Sequence, residues 1–125
     1  MSARRILVVD DDRDVVVFLS RLLQRAGYAV LTAQDALQAV MQAHRESPDL
    51  VLTDIAMPAG GGQSVLDRLR GSEKTSAIPI IALTGTDGPQ LEARGLANGA
   101  TRLVAKRCDN TVLLESIRAA LGEGQ

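Results

Sequence analysis

Leu50-Val51-Leu52-Thr53 runs without a break into Asp54, and Pro58 closes the stretch soon afterwards. A continuous apolar or β-branched run bounded by turn signals suits a strand covered on both faces. Such strands belong to parallel sheets with helices packed on either side, so this one run already narrows the architecture. Asp54 then stands where the strand leaves the sheet. An unpaired carboxylate taken out of water is costly, so one at the end of a buried strand calls for a partner or a task. Taken alone, an aspartate there serves as readily to cap the strand or the loop after it. The rest of the chain has to decide.

Arg4 to Val9 reads as a short strand ending in Asp10-Asp11-Asp12. Asp12 suits the N-cap of a helix, with Asp14 in its first turn. Val15, Val16, Leu19, Leu22, Leu23 and Ala26 follow at helical spacing, and Gly27 supplies the stop. Tyr28 to Ala33 forms a second strand with partial alternation, as expected near a sheet edge. Gln34-Asp35 opens a second helix, which Ser47-Pro48 ends, and the central strand covers 49–54. Ala59-Gly60-Gly61-Gly62 reads as a flexible loop before a helix carrying Val65, Leu66, Leu69 and Arg70. A fourth strand runs from Ile78 to Leu83, with Pro79 near its start where a missing N–H is tolerated, and leads into Thr84-Gly85. A weaker helix is expected from about Pro89 to Ala97, closing at Asn98-Gly99. Thr101 to Ala105 is a fifth strand ending in Lys106, and the last helix spans about Asn110 to Leu121.

Five strands alternating with five helices through short connections predict an α/β fold with an open, doubly wound parallel sheet. No composition break or repeat divides the chain, so residues 1–125 are expected to form one domain with a core from about 4 to 121. With 14 basic against 15 acidic residues and 2% aromatics, a nucleic-acid surface has little to rest on. The lone Cys108 excludes an internal disulfide and fits a reducing compartment. No apolar run approaches the roughly 20 residues that span a bilayer, and the N-terminus leads into a strand and not a signal-peptide core. A cytoplasmic protein is expected, with no direct nucleic-acid or membrane contact.

Sheets of this kind place ligands beyond the carboxyl ends of their strands. Four of the five expected strands end there in functional side chains: Asp10-Asp11, Asp54, Thr84 and Lys106. Each has an ordinary reading by itself, as dipole compensation, a turn residue or a solvated lysine. Together on one edge they carry more weight. Three carboxylates within about 5 Å repel by roughly 3 kcal/mol per pair at an effective dielectric near 20, so something positive should occupy the pocket. Carboxylates without a neighbouring His or Cys suit a hard cation, Mg²⁺ foremost. Lys106 adds a positive charge and Thr84 a hydroxyl donor. A carboxylate among these groups is placed to attack phosphorus, which makes Asp54 the candidate for an acyl phosphate.

These residues resemble the receiver domain of two-component response regulators. The resemblance runs from Arg5 to about Leu121 and is carried by Ile6-Leu7-Val8-Val9-Asp10-Asp11-Asp12, by Asp54 with Met57-Pro58, by Ile78-Pro79-Ile80-Ile81-Ala82-Leu83-Thr84, by Gly99-Ala100 and by Lys106. It implies a flavodoxin-like sheet in the order 2-1-3-4-5 and phosphoryl transfer from a histidine kinase or histidine phosphotransfer domain to Asp54. It further implies that Asp11 binds Mg²⁺ directly, Asp10 mainly through water, and the backbone carbonyl of Ala56 as well as Asp54 itself. Thr84 and Lys106 would contact the phosphoryl oxygens. Phosphorylation would shift an equilibrium between two surface arrangements, altering contacts with a downstream effector or a second copy. As a phosphoacceptor the chain is not expected to be an enzyme, beyond catalysing its own phosphorylation and dephosphorylation.

Two positions depart from the family pattern. Arg107 follows Lys106 where the family usually has proline, and Leu103 stands where a switch aromatic is expected. They motivate a second reading, a receiver-shaped interaction module that works without phosphate. A third is an aspartate-nucleophile phosphatase with Asp10 as nucleophile and Asp12 as acid, which leaves Asp54 unexplained. His44, near the end of its helix, is expected to be solvated or capping, and Cys108 sits close enough to Lys106 and Arg107 for its pKa to be lowered.

Overall fold

The computed structural model describes residues 3–57, 61–85 and 99–123. Its strands are β1 (Arg5–Val9), β2 (Ala29–Ala33), β3 (Leu50–Asp54), β4 (Ile80–Thr84) and β5 (Arg102–Ala105). All pair in parallel, in the order β2-β1-β3-β4-β5. The helices are α1 (Arg13–Arg25), α2 (Ala36–Glu46), α3 (Gly61–Arg70) and α4 (Asn110–Ala120). This is the flavodoxin-like, doubly wound α/β arrangement. The helix expected from about Pro89 to Ala97 and the turn residue Pro58 lie outside the described residues.

Alternation along the strands explains why both faces are covered. Ile6, Val8, Leu50, Leu52, Ile81 and Leu83 point to one side, where Val16, Leu19 and Leu23 of α1 and Leu113 and Ile117 of α4 close over them. Leu7, Val9, Val51, Ile80 and Ala82 point to the other, against Ala39 and Ala43 of α2 and Val65, Leu66 and Leu69 of α3. Successive residues of β3 thus enter opposite cores, and all five of its residues are buried.

Three of the four described helices start where an aspartate caps them. Asp12 accepts a hydrogen bond from the Asp14 N–H at 2.9 Å, Asp35 from Gln38 at 2.8 Å, and Asp109 from Thr111 at 2.8 Å. Helix α1 gives way to Gly27, whose φ of +97° only glycine adopts freely. Ser47 ends α2 in the same left-handed region at φ +46°.

One expectation is corrected here. Gly61 and Gly62 do not belong to a loop; they form the first turn of α3. Glycine suits position 61 because the helix start packs close to the strand exit: a Cβ on Gly61 would lie 3.3 Å from Cβ of Met57. Strand β4 also begins after Pro79, and includes Thr84. Pro79 keeps its ladder role as acceptor, taking the Val51 N–H at 3.0 Å.

At the end of α3, Arg70 binds β4 and β5 together. Its Nε donates to the Gly99 carbonyl at 2.8 Å, its Nη1 to the Ile78 and Ser76 carbonyls at 2.7 and 2.9 Å, and its Nη2 to Thr101 Oγ1 at 3.4 Å. Gly99, at φ +100°, makes room for it, since a Cβ there would meet Arg70 Cγ at 3.2 Å.

At the opposite end of the sheet from the acidic strand ends, the Tyr28 hydroxyl donates to Glu123 at 3.1 Å, and Arg4 pairs with Glu123 at 3.3 Å. Burial, followed by the hydrogen bond and charge of Glu123, raises the phenol above its ordinary value of 10.0. The folded chain therefore holds this proton more tightly than the unfolded chain. The stability it contributes is complete below about pH 10 and is lost as pH rises through the folded value. Tyr28 is the single tyrosine and there is no tryptophan, so tyrosinate absorbance reads it directly. The native titration is expected to lie above that of the urea-unfolded chain, and Tyr28→Phe to flatten the alkaline fall in stability. Coincident titrations would contradict the packing described.

Candidate functional site

Register brings the functional side chains to one edge. Asp54 ends β3 opposite Leu83, and Thr84 ends β4 opposite Ala105, the residue before Lys106. The Lys106 N–H then donates to the Thr84 carbonyl at 2.8 Å, which extends the β4–β5 ladder by one bond. Asp10 follows β1 directly, and its N–H donates to the Ala33 carbonyl at 3.2 Å. Asp10, Asp54 and Thr84 are buried, while Asp11 is exposed beside them.

The carboxylates of Asp10, Asp11 and Asp54 converge, each offering an oxygen within 4.8 Å of the others. Lys106 sets a positive charge against two of them, its Nζ lying 3.1 Å from Asp54 Oδ2 and 3.5 Å from Asp10 Oδ2. Burial pulls the ammonium down, but the hydrogen bond and charge of Asp54, then the charge of Asp10, outweigh it and hold the Lys106 pKa above its usual value. Asp10 moves upward as well. Burial is the first cause, opposed by the Asp12 N–H that donates to its Oδ1 at 2.9 Å, and reinforced by the charge of Asp54.

Asp54 is held by both oxygens. Oδ1 accepts the Ala56 N–H at 3.1 Å, and Oδ2 faces Lys106. The sequence reading gave Ala56 only a carbonyl role. An aspartate that bonds the N–H two residues on is a common turn device, and that spacing was the available signal. The Lys106–Arg107 bond is trans, and Lys106 still reaches both carboxylates. Leu103 is half-buried and packs on the α2–α3 side of the sheet.

Asp10 Oδ2 is buried without a hydrogen bond. A buried carboxylate oxygen left in that state, inside a group of three carboxylates with no His or Cys, fits a hard divalent cation.

Residues 6–118 match the family model described as the response regulator receiver domain. The chain belongs to that family. Receiver domains are the phosphoacceptor signalling domains of two-component systems, work with histidine kinases and downstream effectors, and bind Mg²⁺ at an acidic site. Protein PilH of Pseudomonas aeruginosa is 37% identical over 117 residues, covering 94% of this chain and 97% of PilH. The response regulator PleD of Caulobacter vibrioides is 37% identical over 119 residues, 95% of this chain but 26% of PleD. The sensor kinase/phosphatase CqsS of Vibrio cholerae is 38% identical over 93% of this chain, which spans 17% of CqsS. Among solved structures, the V. cholerae chemotaxis protein CheY4 aligns with a TM-score of 0.87 at 29% identity, covering 95% of this chain and 99% of that one. The receiver domain of a P. aeruginosa sensor histidine kinase aligns at 0.85 with 27% identity, covering 98% and 100%, and carries a magnesium ion in its active-site cleft.

One possibility raised by the sequence of this receiver domain is not met. Cys108 is not activated by its basic neighbours; burial raises its thiol pKa, and the charge of Asp109 adds to that. Lys106 is turned to Asp54 and Asp10 instead. His44 is half-buried in the last turn of α2. Among the described residues no helix is long and apolar enough to cross a membrane.

The charge arrangement has a measurable signature. Lys106→Met leaves two buried carboxylates uncompensated and is expected to lower stability by about 1–2 kcal/mol, less than for a fully buried pair because the lysine is partly exposed. In an Asp54→Asn background the same change should cost less, with a coupling of about 1 kcal/mol by urea denaturation. Additive effects would contradict the pairing.

Proposed function

We propose that Asp54 accepts a phosphoryl group from the phosphohistidine of a histidine kinase or histidine phosphotransfer domain. The observation that carries this is the Asp54 carboxylate itself, buried at the end of β3, with Oδ1 on the Ala56 N–H and Oδ2 against Lys106. Asp10, Asp11, Asp54 and the Ala56 carbonyl are the residues that would hold Mg²⁺. When bound, that ion supplies positive charge against the carboxylates and the transferring oxygens.

This chain's residues divide the remaining work. The Ala56 N–H fixes the plane of the nucleophilic carboxylate, so that little orientation is lost on reaction. An Asp54 oxygen forms the new bond to phosphorus, the P–N bond breaks, and its electron pair returns to the imidazole of the donor. Lys106 already neighbours Asp54 and would follow the charge onto the phosphoryl oxygens, with the Thr84 hydroxyl as a second contact. Losing Lys106 from Asp10 and Asp54 is the local change that would bias the surface toward an effector or a second copy of the chain.

The phosphate-independent reading rests on Leu103 and Arg107, both outside the acidic cluster. In the phosphatase reading Asp12 would be the acid, yet its carboxylate accepts the Asp14 N–H as a helix cap.

Intact mass after incubation with acetyl phosphate tests the proposal. One phosphoryl adduct is expected, dependent on Mg²⁺ and absent in Asp54→Asn. Mg²⁺ alone should raise the melting temperature of the wild type, because a ligand that binds only the folded state stabilises it, and Asp11→Asn should weaken that rise. Absence of both the adduct and the Mg²⁺ effect would overturn the proposal and favour the phosphate-independent module.

A further inference from the structure

A second recess lies away from the acidic cluster, between the outer flank of α1 and the free edge of the sheet at β2. It has a volume of about 440 Å³, and its polar lining includes Arg13, Ser20, Arg21, Thr32, Gln34 and Gln38, with no carboxylate among the lining residues. Arg13 and Arg21 are exposed and have neither an ion pair nor a side-chain hydrogen bond among the described residues. Ser20 Oγ is buried without a hydrogen-bond partner. In a chain with a net charge of −1, a groove with two unpaired guanidinium groups and no acid is a local reversal of sign.

The wall opposite α1 is an unfinished ladder. The Ala29 N–H donates to Arg4 and the Ala33 carbonyl accepts from Asp10, so residues 29, 31 and 33 face β1. The N–H and C=O groups of Val30 and Thr32 therefore face outward, as at the open edge of any strand. Val30 packs on the α1 side of the sheet, which by alternation puts the Thr32 side chain on that side too, toward the arginines.

We infer that this groove binds an extended acidic segment of a partner protein, seated on β2 as a sixth strand. Spacing defines the segment. Arg13 and Arg21 are eight residues apart on one helix, a rise of about 12 Å. Residues i and i+4 of a strand are about 13 Å apart and share one face. Two acids at i and i+4 thus meet both guanidinium groups at once, while main-chain bonds to Val30 and Thr32 supply the rest of the affinity. Acids at i and i+3 point to opposite faces and reach only one arginine. This site is separate from the phosphoacceptor cluster and does not depend on its chemistry.

The probe is a fluorescein-labelled peptide, Thr-Glu-Val-Thr-Val-Glu-Thr, blocked at its carboxyl end, with Thr-Glu-Val-Thr-Glu-Val-Thr as the control of equal composition. Fluorescence anisotropy is expected to give at least tenfold tighter binding for the first, weakening as salt rises. The exposed double substitution Arg13→Gln with Arg21→Gln, checked for unchanged melting, should lose at least tenfold for the first peptide and distinctly less for the second, which meets one arginine only. Amide NMR should show the largest shifts at Val30 and Thr32. Equal binding of the two peptides, indifference to the arginine substitutions, shifts confined to another surface, or no binding at millimolar peptide would each overturn the inference.

Discussion

Lys106 holds together an arrangement that would otherwise push itself apart. Asp10 and Asp54 are almost fully buried at neighbouring strand ends, and each repels the other. Among the described residues, the compensation comes from the Lys106 ammonium and two backbone N–H groups, Asp12 onto Asp10 and Ala56 onto Asp54. The balance is incomplete: Asp10 Oδ2 has no hydrogen bond, and its carboxyl pKa stays raised. A site left short of positive charge is primed for a cation, and a lysine shared between two carboxylates can be drawn away by a phosphoryl group.

The rest of the fold keeps that arrangement in register. Parallel pairing makes β1, β3, β4 and β5 end together, and covering both faces prevents any of them from slipping by one residue. Arg70 contributes from the far end. By tying Ile78, Gly99 and Thr101 it fixes where β5 starts against β4, and so where Lys106 emerges. The substitution of Arg107 for the usual proline leaves this placement intact, because the Lys106 N–H is anchored on Thr84.

Much of this was legible in residue patterns. Leu50 to Thr53 announces a strand buried on both faces, Asp12 and Asp35 announce helix starts, and the polar residues that follow the strands share one edge. What escaped was whatever depends on distant neighbours. Gly61-Gly62 looks like a loop because glycine weakens a helix, and the approach of Met57, which leaves little room for a Cβ at Gly61, is not visible in the local pattern. Arg70 groups with Val65, Leu66 and Leu69 by spacing, but its three carbonyl partners lie too far along the chain for the pattern to show them. Cys108 looks activated by adjacent basic residues, yet burial decides its pKa while Lys106 faces elsewhere.

The central claim is that the Asp54 carboxylate is the nucleophile. Reduction with borohydride immediately after exposure to a phosphodonor and Mg²⁺, followed by peptide mass spectrometry, tests it at the level of the atom. An acyl phosphate at Asp54 is reduced to homoserine, so residue 54 should be converted while Asp10 and Asp11 remain aspartate. Conversion at Asp10 in place of Asp54, or at no aspartate in a sample that carries a phosphoryl adduct, would contradict the account.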